Sequence, residues 1–513
     1  MNLAAYMERS AERFPDRIAI RHEGQSVTYR ELNIQCNRLA TGLKRLGLAA
    51  GGRCALMLPN SIHAITAYNA IAKLGALAIP INFLYRKHEL QHIFSDSKPE
   101  AFIGARPYLD EVSRVLKVSE QTPIRLALGA SDDTGFQDLR TAFAGQTDFA
   151  TYAAEDSDTL NILYTSGTTG VPKGVMLTHG NLASEARILA EMREKLDPEA
   201  VVIGVLPLYH VYGITSVLNV SMYLGLTIEL FTQFDPEKVI AVAEREKQTV
   251  LFAVPTMYNR LIQAAAAAPP RNPSLKFCIS GGASLPVEFL NRFESLFHTK
   301  IYEGYGLTEA PVCVENPYGG LTKAGSIGLP IPEFSAKIVD PAGEEIRSGE
   351  RGELIIKGPG VMKGYLNRPK ETGETIKNGW LYTGDIARMD EDGYIYIVDR
   401  KKDLIIRGGY TVYPREIEEI MYQIPEILEV AVIGWPHADL GEEVAAVVVL
   451  KAGAEIDSAA IQDYVKQRAA PYKYPRIIRI SREPLPKSGT GKILKKEIRK
   501  NLELFSGPDS TDM

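Results

Sequence analysis

Short apolar runs alternate with amphipathic stretches along the chain up to about residue 325. Residues 32–46 carry leucines at helical spacing, and Thr28 with Glu31 just before them forms the pattern of a capping box. The apolar run 54–58 predicts a buried strand, and 76–80 predicts a shorter one. This alternation predicts an α/β architecture, with mostly parallel sheets covered by helices.

Four predicted strands run directly into glycine or proline, and a fifth runs into a loop rich in glycine and threonine. The four cover residues 201–206, 249–254, 277–280 and 301–303, and the fifth covers 160–164. In open α/β sheets, ligands bind at the carboxyl ends of the parallel strands. We therefore expect the segments that follow these strands to meet at one binding site.

The pattern changes twice in the second half of the chain. Residues 336–339, 352–357 and 393–398 predict short strands separated by glycine-rich turns, which is typical of an antiparallel unit over about 325–399. The charged run 400–403 has the character of a hinge, and the segment from 414 to 480 predicts a small α+β unit. We therefore expect an N-terminal domain over 1–399, a hinge over 400–405 and a C-terminal domain over 406–513.

The composition argues against several classes of protein. The chain has 513 residues, of which 45% are hydrophobic and 24% charged, as in an ordinary globular protein. A net charge of −5 argues against a general nucleic-acid partner. Four scattered cysteines without a CxxC pair fit a reducing compartment, and we find neither a signal-peptide pattern nor an apolar run of membrane-spanning length. These features predict a cytoplasmic protein, and they leave open whether it is a monomer or homodimer.

The segment 164–174 has the residue types of a phosphate-binding loop. Glycines let backbone N–H groups approach a phosphate, hydroxyls donate to its oxygens, and Lys173 supplies positive charge. The segment is not a Walker A loop, because Gly174 stands where that motif needs Ser or Thr after the lysine. The residues assigned to the triphosphate are Thr165, Ser166, Gly167, Thr168, Thr169, Gly170 and Lys173.

This segment resembles the signature of the adenylate-forming superfamily, which contains acyl-CoA synthetases, adenylation domains and luciferases. Further segments similar to that family's motifs follow in the family's order, at 206–210, 305–309, 352–354, 382–385, 399–409 and 486–492. One such match could arise by chance, whereas the ordered set spans nearly the whole chain. The resemblance implies ATP-dependent activation of a carboxylate through an acyl-adenylate. It also implies a large N-terminal domain followed by a small, mobile C-terminal domain.

The resemblance also implies roles for residues around the nucleotide. Glu309 would hold Mg²⁺, Thr308 would touch the α-phosphate, and Lys492 would enter the site to stabilise charge during adenylation. Asp385 would accept the ribose hydroxyls, and Arg400 would contact ribose or phosphate. The residues implied to surround adenine are Gly282, Ala283, Glu303, Gly304 and Tyr305. From the residues alone, Thr308 could also be a helix N-cap and Asp385 a cap in a turn.

The remaining roles concern the acid, coenzyme A and the hinge. The residues implied to line the acyl pocket are His210, Tyr212, Gly213, Val254, Gly281, Gly306 and Leu307. His210 joins the catalytic group as a neighbour of the acid, without general-base work, because a carboxylate is already a competent nucleophile. Lys402 is the implied hinge residue, and the loop with Gly408 and Gly409 is implied to form the coenzyme A side after domain rotation.

The kind of acid is inferred from the segment 209–212. Amino-acid adenylation domains place an Asp at its start to pair with the substrate ammonium, and this chain has Tyr-His-Val-Tyr. A hydrophobic acid is therefore favoured, and the overall resemblance to bacterial fatty-acid–CoA ligases implies a medium- to long-chain fatty acid, with ATP, Mg²⁺ and coenzyme A.

Other functions stay open at this stage. An aryl or short-chain CoA ligase would share every motif, and a stand-alone enzyme could load a carrier protein instead of coenzyme A. Transient contact with a membrane surface is also open. A nucleotide-binding protein without chemistry is disfavoured, since Lys173, Glu309, Asp385 and Lys492 are all present.

Overall fold

The computed structural model describes residues 1–116, 124–130, 135–165, 172–193, 196–271, 273–489 and 491–502. These residues form two large sheets, a small antiparallel sheet and a C-terminal α+β unit, so the predicted α/β class is confirmed. Among the residues described, no helix combines the length and the apolar character needed to cross a membrane.

The helices and strands have the following bounds. The described helices are α1 (Ala5–Arg13), α2 (Tyr29–Arg45), α3 (Ile62–Leu74), α4 (Lys87–Ser97), α5 (Leu109–Leu116), α6 (His179–Glu191), α7 (Val220–Leu224), α8 (Pro236–Arg245), α9 (Pro255–Ala267), α10 (Val287–Phe297), α11 (Pro369–Thr375), α12 (Pro414–Met421), α13 (Ser458–Lys466) and α14 (Lys495–Lys500). The described strands are β1 (Ile18–His22), β2 (Gln25–Thr28), β3 (Arg53–Met57), β4 (Leu77–Pro80), β5 (Ala101–Ala105), β6 (Ile124–Leu128), β7 (Gln137–Asp138), β8 (Thr159–Thr165), β9 (Lys173–Thr178), β10 (Val201–Gly204), β11 (Thr227–Leu230), β12 (Thr249–Ala253), β13 (Leu275–Ser280), β14 (Ile301–Leu307), β15 (Ala310–Glu315), β16 (Leu329–Pro330), β17 (Ser335–Val339), β18 (Gly352–Lys357), β19 (Gly364–Tyr365), β20 (Ile376–Lys377), β21 (Trp380–Met389), β22 (Ile395–Arg400), β23 (Ile405–Arg407), β24 (Tyr410–Val412), β25 (Ile427–His437), β26 (Gly441–Leu450) and β27 (Ile477–Ser481). A π-helical segment, Gly213–Asn219, precedes α7.

The first large sheet carries several of the strand ends that the sequence marked with glycine or proline. Its strand order is β16-β15-β14-β13-β12-β10-β11-β1-β2, and the neighbours from β14 to β1 are parallel. Helices α8, α9 and α10 pack on it through buried residues that include Tyr258, Phe289 and Phe293. The carboxyl ends of β12, β13 and β14 therefore open at the same edge.

The second large sheet has the order β19-β9-β8-β4-β3-β5-β6-β7. Its neighbours from β8 to β7 are parallel, whereas β9 is antiparallel to both β8 and β19. The predicted capping box begins α2, where the Glu31 N–H donates to Thr28 Oγ1 at 3.2 Å. A continuous apolar core runs between this sheet and the first one, so the two form one body.

The hairpin of β14 and β15 corrects two expectations. The predicted strand 301–303 continues to Leu307 and pairs antiparallel with β15, and Thr308 and Glu309 form the turn between them. No helix begins in this described stretch, so the N-cap alternative for Thr308 is wrong. The hairpin needs Gly306, because a Cβ at that position would overlap the Pro311 carbonyl oxygen.

The small antiparallel sheet has the order β17-β18-β21-β20, with β22 paired to β21. The pattern predicted β17, β18 and part of β22, but it missed β21. The turn expected at Asp385 is therefore wrong, since this residue lies inside β21 at a bulge opposite Glu353 and Ile355. The sequence shows no strand pattern at 383–385, because these polar residues and glycine line the cavity and do not pack in an apolar core.

The C-terminal unit has a core of its own. Its sheet has the order β24-β23-β26-β25, and β27 lies parallel to β26. Helices α12 and α13 pack on one face and α14 on the other. The small α+β unit predicted over 414–480 is confirmed by α12, β25, β26, α13 and β27, whereas β23 and β24 precede that segment and α14 follows it. Residues 401–404 join β22 to this unit.

The C-terminal unit docks on the edge where the parallel strands end. The Arg415 N–H donates to Asp399 Oδ2 at 2.9 Å, and the Arg415 guanidinium donates to the Ile397 carbonyl at 2.6 Å. The rings of Phe289 and Tyr422 meet at 5.2 Å between centroids. These contacts close a cavity between the two parts of the chain.

Candidate active site

A cavity of about 2760 Å³ lies between the strand ends and the C-terminal unit. It is larger than the roughly 300–1,000 Å³ of a typical small-molecule pocket, as a site for several substrates should be. The predicted residues on its wall are Thr165, Lys173, His210, Tyr212, Val254, Gly281, Gly282, Ala283, Glu303, Gly304, Tyr305, Gly306, Leu307, Thr308, Glu309, Asp385, Arg400, Lys402 and Lys492.

Some predicted residues are not on this wall. Gly213 packs against the Pro207 carbonyl, and Gly408 and Gly409 lie in the β23–β24 connection, outside the cavity. The middle of the predicted phosphate loop, with Ser166, Gly167, Thr168, Thr169 and Gly170, lies outside the described residues.

The two ends of the phosphate loop are held next to each other. Thr165 ends β8, Lys173 begins β9, and the two residues are direct antiparallel partners. The Lys173 Nζ lies 4.9 Å from the centre of the Tyr365 ring. An ammonium over an aromatic face is attracted by the ring quadrupole, so Tyr365 helps to hold this charge at the cavity wall.

Glu309 shares the contact with Tyr365 and lies where the charge of Lys173 acts on its carboxylate. The turn after β14 presents it, and its carbonyl accepts the Met362 N–H at 2.8 Å. Its Oε1 accepts the Tyr365 hydroxyl at 2.7 Å. Burial raises the pKa of Glu309, while the Tyr365 hydrogen bond and the charges of Arg400 and Lys173 act in the opposite direction. A cation in the cavity would favour the ionised form.

Asp385 and Arg400 face each other across β21 and β22. Arg400 Nε lies 3.4 Å from Asp385 Oδ1, and the Tyr305 hydroxyl donates to Asp385 Oδ2 at 2.6 Å. The bulge that turns Asp385 toward the cavity uses Gly384 at φ +72°, whose N–H donates to Glu353 Oε1 at 3.1 Å. Asp385 is thus a fixed acceptor, which suits a pair of ribose hydroxyls.

The region predicted for adenine lies beside Asp385. Gly282 and Ala283 are exposed to the cavity after β13, and Glu303 and Gly304 stand on the neighbouring β14. Glu303 Oε2 accepts the Leu285 N–H at 3.2 Å, and burial raises the pKa of Glu303 to about 7. The Glu303 carboxyl therefore braces the loop that carries Gly282 and Ala283.

His210 and Tyr212 form the corner between the nucleotide side and the acyl side. The Tyr212 N–H donates to His210 Nδ1 at 3.2 Å, so the neutral imidazole carries its proton on Nε2. Burial, followed by the charge of Lys492, lowers the pKa of His210 to about 4. The Tyr212 hydroxyl donates to the Ile279 carbonyl at 3.3 Å. A neutral His210 can donate a hydrogen bond to an acid but carries no charge at neutral pH.

The wall predicted to meet the acyl group contains apolar residues and a paired carboxylate. Val254, Leu307 and Val312 contribute apolar surface to the cavity wall. Glu315 also lines the cavity, and its carboxylate pairs with the Arg193 guanidinium at 2.9 Å, with both side chains at most 3% exposed. Because Glu315 is already neutralised, it leaves no free charge for a substrate ammonium.

Lys492 reaches the cavity from a tight hairpin of the C-terminal unit. The Ser488 N–H donates to the Lys492 carbonyl at 2.8 Å, and the Lys492 N–H donates to Ser488 Oγ at 3.2 Å. Gly491 lies against Thr256 on the first sheet's side, so the hairpin tip is seated in the N-terminal part. Burial, followed by the charge of Arg400, lowers the pKa of Lys492 to about 7. In its protonated form, Lys492 could form an ion pair with a phosphate in the cavity.

Comparison with known proteins identifies this arrangement. Residues 7–366 match the AMP-binding enzyme family, and residues 416–492 match the C-terminal domain of AMP-binding enzymes. The chain belongs to the AMP-binding enzyme family.

The relatives of this AMP-binding enzyme are named for different substrates. A long-chain-fatty-acid–CoA ligase of Bacillus subtilis (strain 168) is 37% identical, over 97% of this chain and 94% of that protein. A feruloyl-CoA synthase of an Amycolatopsis species is 36% identical, over 97% and 98%. The crystal structure of ATP-bound MatB from Rhodopseudomonas palustris has a TM-score of 0.90 at 35% identity, covering 98% of this chain and 99% of that one. The chain is an adenylate-forming acyl-CoA ligase, and these names leave its acid undecided.

The hinge predicted for this AMP-binding enzyme is a short turn. The Asp403 N–H donates to the Arg400 carbonyl at 2.9 Å, and the Lys401 N–H donates to the Gly384 carbonyl at 2.9 Å. Lys401 Nζ also lies 3.2 Å from Glu353. Lys402 stands in the middle of this turn at the cavity wall.

Sequence reasoning missed two residues that organise the site. Tyr365 joins Glu309 to Lys173, and Arg415 fastens the C-terminal unit beside the nucleotide region. A single tyrosine after glycine carries no chemical signal of its own, and Arg415 looks like an ordinary charge in the first turn of a helix. Only their positions in space reveal what they touch.

Proposed function

We propose that this chain is an ATP-dependent fatty-acid–CoA ligase that favours medium- to long-chain acids. The observation that carries the proposal is the apolar wall at Val254, Leu307 and Val312, next to a site where Glu315 is already neutralised. An apolar pocket without a free carboxylate suits an alkyl chain better than an amino acid. The similarity to the ligase of Bacillus subtilis supports the same acid class.

In the proposed first half-reaction, a carboxylate oxygen of the acid attacks the α-phosphorus of ATP. The bond from the α-phosphorus to the bridging oxygen of the β-phosphate breaks, pyrophosphate leaves, and the acyl-adenylate forms. Asp385 would hold the ribose, and Lys173 and Lys492 would supply positive charge on either side of the phosphates. This step depends on positioning and charge stabilisation, since the nucleophile needs no base.

The site fits a magnesium ion that arrives with the nucleotide. Glu309 uses one lone pair of Oε1 for Tyr365, and a carboxylate offers about four such positions. No group of three or more metal-ligating side chains occurs in the part of the chain that the structure describes. Mg²⁺ is bound in proteins by one or two carboxylates together with substrate phosphates and water. When bound at Glu309, it would neutralise charge on the phosphates.

In the proposed second half-reaction, the sulfur of coenzyme A attacks the carbonyl carbon of the acyl-adenylate. The bond from that carbon to the phosphate oxygen breaks, AMP leaves, and the thiol proton passes to solvent or phosphate. Rotation about Lys402 would withdraw Lys492 and bring Gly408 and Gly409 toward the cavity. In the structure, Lys492 lies on the cavity wall, whereas Gly408 and Gly409 do not. This arrangement supports a rotation that exchanges the two parts of the C-terminal unit at the cavity.

An aromatic acid is the second candidate. Tyr212 and Gly281 meet on the cavity wall, where a Cβ at position 281 would lie 3.1 Å from the Tyr212 ring. An aromatic acid could stack on this ring, and the feruloyl-CoA synthase of the Amycolatopsis species, at 36% identity, is nearly as similar as the ligase of Bacillus subtilis at 37%.

The test is pyrophosphate release from Mg·ATP with acetate, octanoate, palmitate, benzoate, ferulate and leucine, each with and without coenzyme A. We expect octanoate or palmitate to give the highest kcat/KM, with AMP and acyl-CoA formed only when coenzyme A is present. A preference for benzoate or ferulate would establish the aromatic candidate. If AMP release and thioester formation require a phosphopantetheinylated carrier protein and do not occur with coenzyme A, the ligase assignment is overturned.

A further inference from the structure

Tyr365 sits between the two charged side chains that would meet the triphosphate. Its hydroxyl donates to Glu309 Oε1 at 2.7 Å, and its ring centre lies 4.9 Å from Lys173 Nζ. The side chain is 7% exposed and forms part of the cavity wall. The same residue therefore contacts the carboxylate that suits a metal and the lysine that suits a phosphate.

The backbone of Tyr365 is fixed from both sides. Tyr365 pairs with Val175 on β9, two residues after Lys173, and its N–H donates to Thr372 Oγ1 at 2.9 Å. The next residue, Leu366, donates its N–H to the Gly174 carbonyl at 2.7 Å. A ring carried by so short and so tightly paired a strand has little freedom to move.

The segment 362–366, which contains β19, contacts both large sheets. Glu309 belongs to the β14–β15 turn of the first sheet, whereas Lys173 begins β9 of the second. The Met362 N–H donates to the Glu309 carbonyl at 2.8 Å, and the chain then continues into β19 on the second sheet. The segment 362–366 thus sets the distance between the two charged groups.

We propose that Tyr365 is a positioning residue that orients Glu309 for the metal ion of Mg·ATP and holds Lys173 beside it. The inference rests on the proposed function, in which the chain activates acids with Mg·ATP. Both contacts are made without neutralising either charge, because a phenol is neutral and a ring face carries only a quadrupole. A direct ion pair between Glu309 and Lys173 would instead cancel the charges that the substrate needs.

The orientation of a single carboxylate matters more here than in a site with several protein ligands. Mg²⁺ demands near-ideal octahedral geometry, and the phosphates and waters supply the other positions. If Glu309 rotates away, the described part of the chain offers no group of three or more metal-ligating side chains to hold the ion instead. Partners of a metal ligand that fix its orientation commonly change metal affinity by 10- to 100-fold when removed.

The first experiment compares Tyr365→Phe, Tyr365→Leu and the unaltered chain in two titrations. Calorimetry measures ATP binding at several fixed Mg²⁺ concentrations and in its absence, and pyrophosphate release gives kcat and the Mg²⁺ requirement. We expect Tyr365→Phe to raise the half-saturating Mg²⁺ concentration about tenfold and to leave metal-free ATP binding within about twofold. Tyr365→Leu should also weaken metal-free binding, because it removes the ring that faces Lys173.

Tyr396 provides a matched control. Its hydroxyl donates to Asp390 Oδ2 at 3.2 Å and its ring centre lies 3.9 Å from the Arg388 guanidinium, but it is not on the cavity wall. Tyr396→Phe removes the same chemical group from a similar carboxylate and should change neither titration. The melting temperature of each variant shows whether the fold is retained.

A second comparison separates positioning from a general structural effect. In the Glu309→Gln background, Tyr365→Phe should change Mg²⁺ dependence less than twofold, because the group through which it acts is gone. Independent, multiplicative effects would overturn the proposal, and so would an unchanged Mg²⁺ requirement in a folded Tyr365→Phe variant. If the unaltered chain binds Mg·ATP but activates no acid, the proposed function fails, and the calorimetric comparison still decides the role of Tyr365.

Discussion

Lys492 is a buried lysine on the wall of the candidate active site. Burial lowers its pKa to about 7, from an ordinary value of 10.5. Between these two pH values the unfolded chain binds one proton more than the folded chain at this lysine, so the free energy of unfolding increases with pH across that window. Holding the ammonium in this buried position costs free energy, which a bound triphosphate would offset.

The pH dependence of adenylation should follow this lysine. The ammonium is the active form, so kcat/KM for ATP should fall as pH rises through about 7. Lys492→Arg should move this fall upward by several pH units, since guanidinium stays protonated. Glu303 also has a pKa of about 7, and a Glu303→Gln variant that keeps the alkaline fall would separate the two groups. A fall that persists unshifted in Lys492→Arg would contradict the assignment.

Replacing Lys492 by Met should separate the two half-reactions. Pyrophosphate release should drop about 10²- to 10³-fold, the usual effect of losing one charge-stabilising group. Thioester formation from a supplied acyl-adenylate should stay within about threefold, because Lys492 is expected to leave the site before that step. Rapid-quench assays of each half-reaction measure both rates. Equal losses in the two steps would argue against an exchange of C-terminal faces.

At the residue scale, most of the residues singled out by the motifs stand on the cavity wall. Lys173, Glu309, Asp385 and Lys492 carry distinctive neighbours, and each stands at the wall. Tyr365 could not be found in this way, because its role depends on two partners at separations of 56 and 192 positions, counted from the residue numbers.

At the scale of elements, the β14–β15 hairpin is the structure that presents Glu309. Gly306→Ala should disturb it, because the added Cβ would overlap the Pro311 carbonyl oxygen. We expect a loss of about 2 kcal/mol in the free energy of unfolding and a loss of more than tenfold in pyrophosphate release. Denaturant titration and the release assay measure the two effects.

Gly373 serves as the control for that substitution. It lies exposed in α11 with open space where a Cβ would point. Gly373→Ala should leave activity unchanged and stabilise the chain by about 0.5–1 kcal/mol, because alanine is the better helix former. Equal behaviour of the two variants would show that the hairpin tolerates a side chain at position 306.

Elements with clear periodicity were predictable, whereas those built around the cavity were not. The capping box of α2 and the buried strands follow local rules of spacing and capping. Strand β21 and the extension of β14 contain polar residues or glycines that face the cavity. In the sequence, such residues are typical of turns, so the pattern predicted turns there. Their extended shape is imposed by antiparallel partners that lie elsewhere in the chain.

At the scale of the whole molecule, the docking of the C-terminal unit decides whether Lys492 reaches the site. The Arg351 guanidinium lies 4.5 Å from the centre of the Tyr413 ring, across the boundary of the two parts. Arg351→Ala should slow single-turnover pyrophosphate release by about two- to fivefold, the range expected of an exposed cation–π contact. Stopped-flow measurement of the first turnover tests this.

A matched arginine lies wholly within the C-terminal unit. The Arg468 guanidinium lies 3.6 Å from the centre of the Tyr464 ring, and we expect docking to be unchanged by its loss, because both residues belong to the C-terminal unit. Arg468→Ala should therefore keep the single-turnover rate. A similar slowing in both variants would point to the C-terminal fold and not to its docking.

The sequence by itself determined the family, the order of the motifs and the residue types at the site, because each motif is a local string with its own chemistry. Only the tertiary structure decided which of these residues share one cavity, that Glu309 lies in a turn and Asp385 in a strand, and that Tyr365 connects two sheets. These features depend on strand pairing and domain docking between distant segments, and such contacts leave no periodic pattern along the chain.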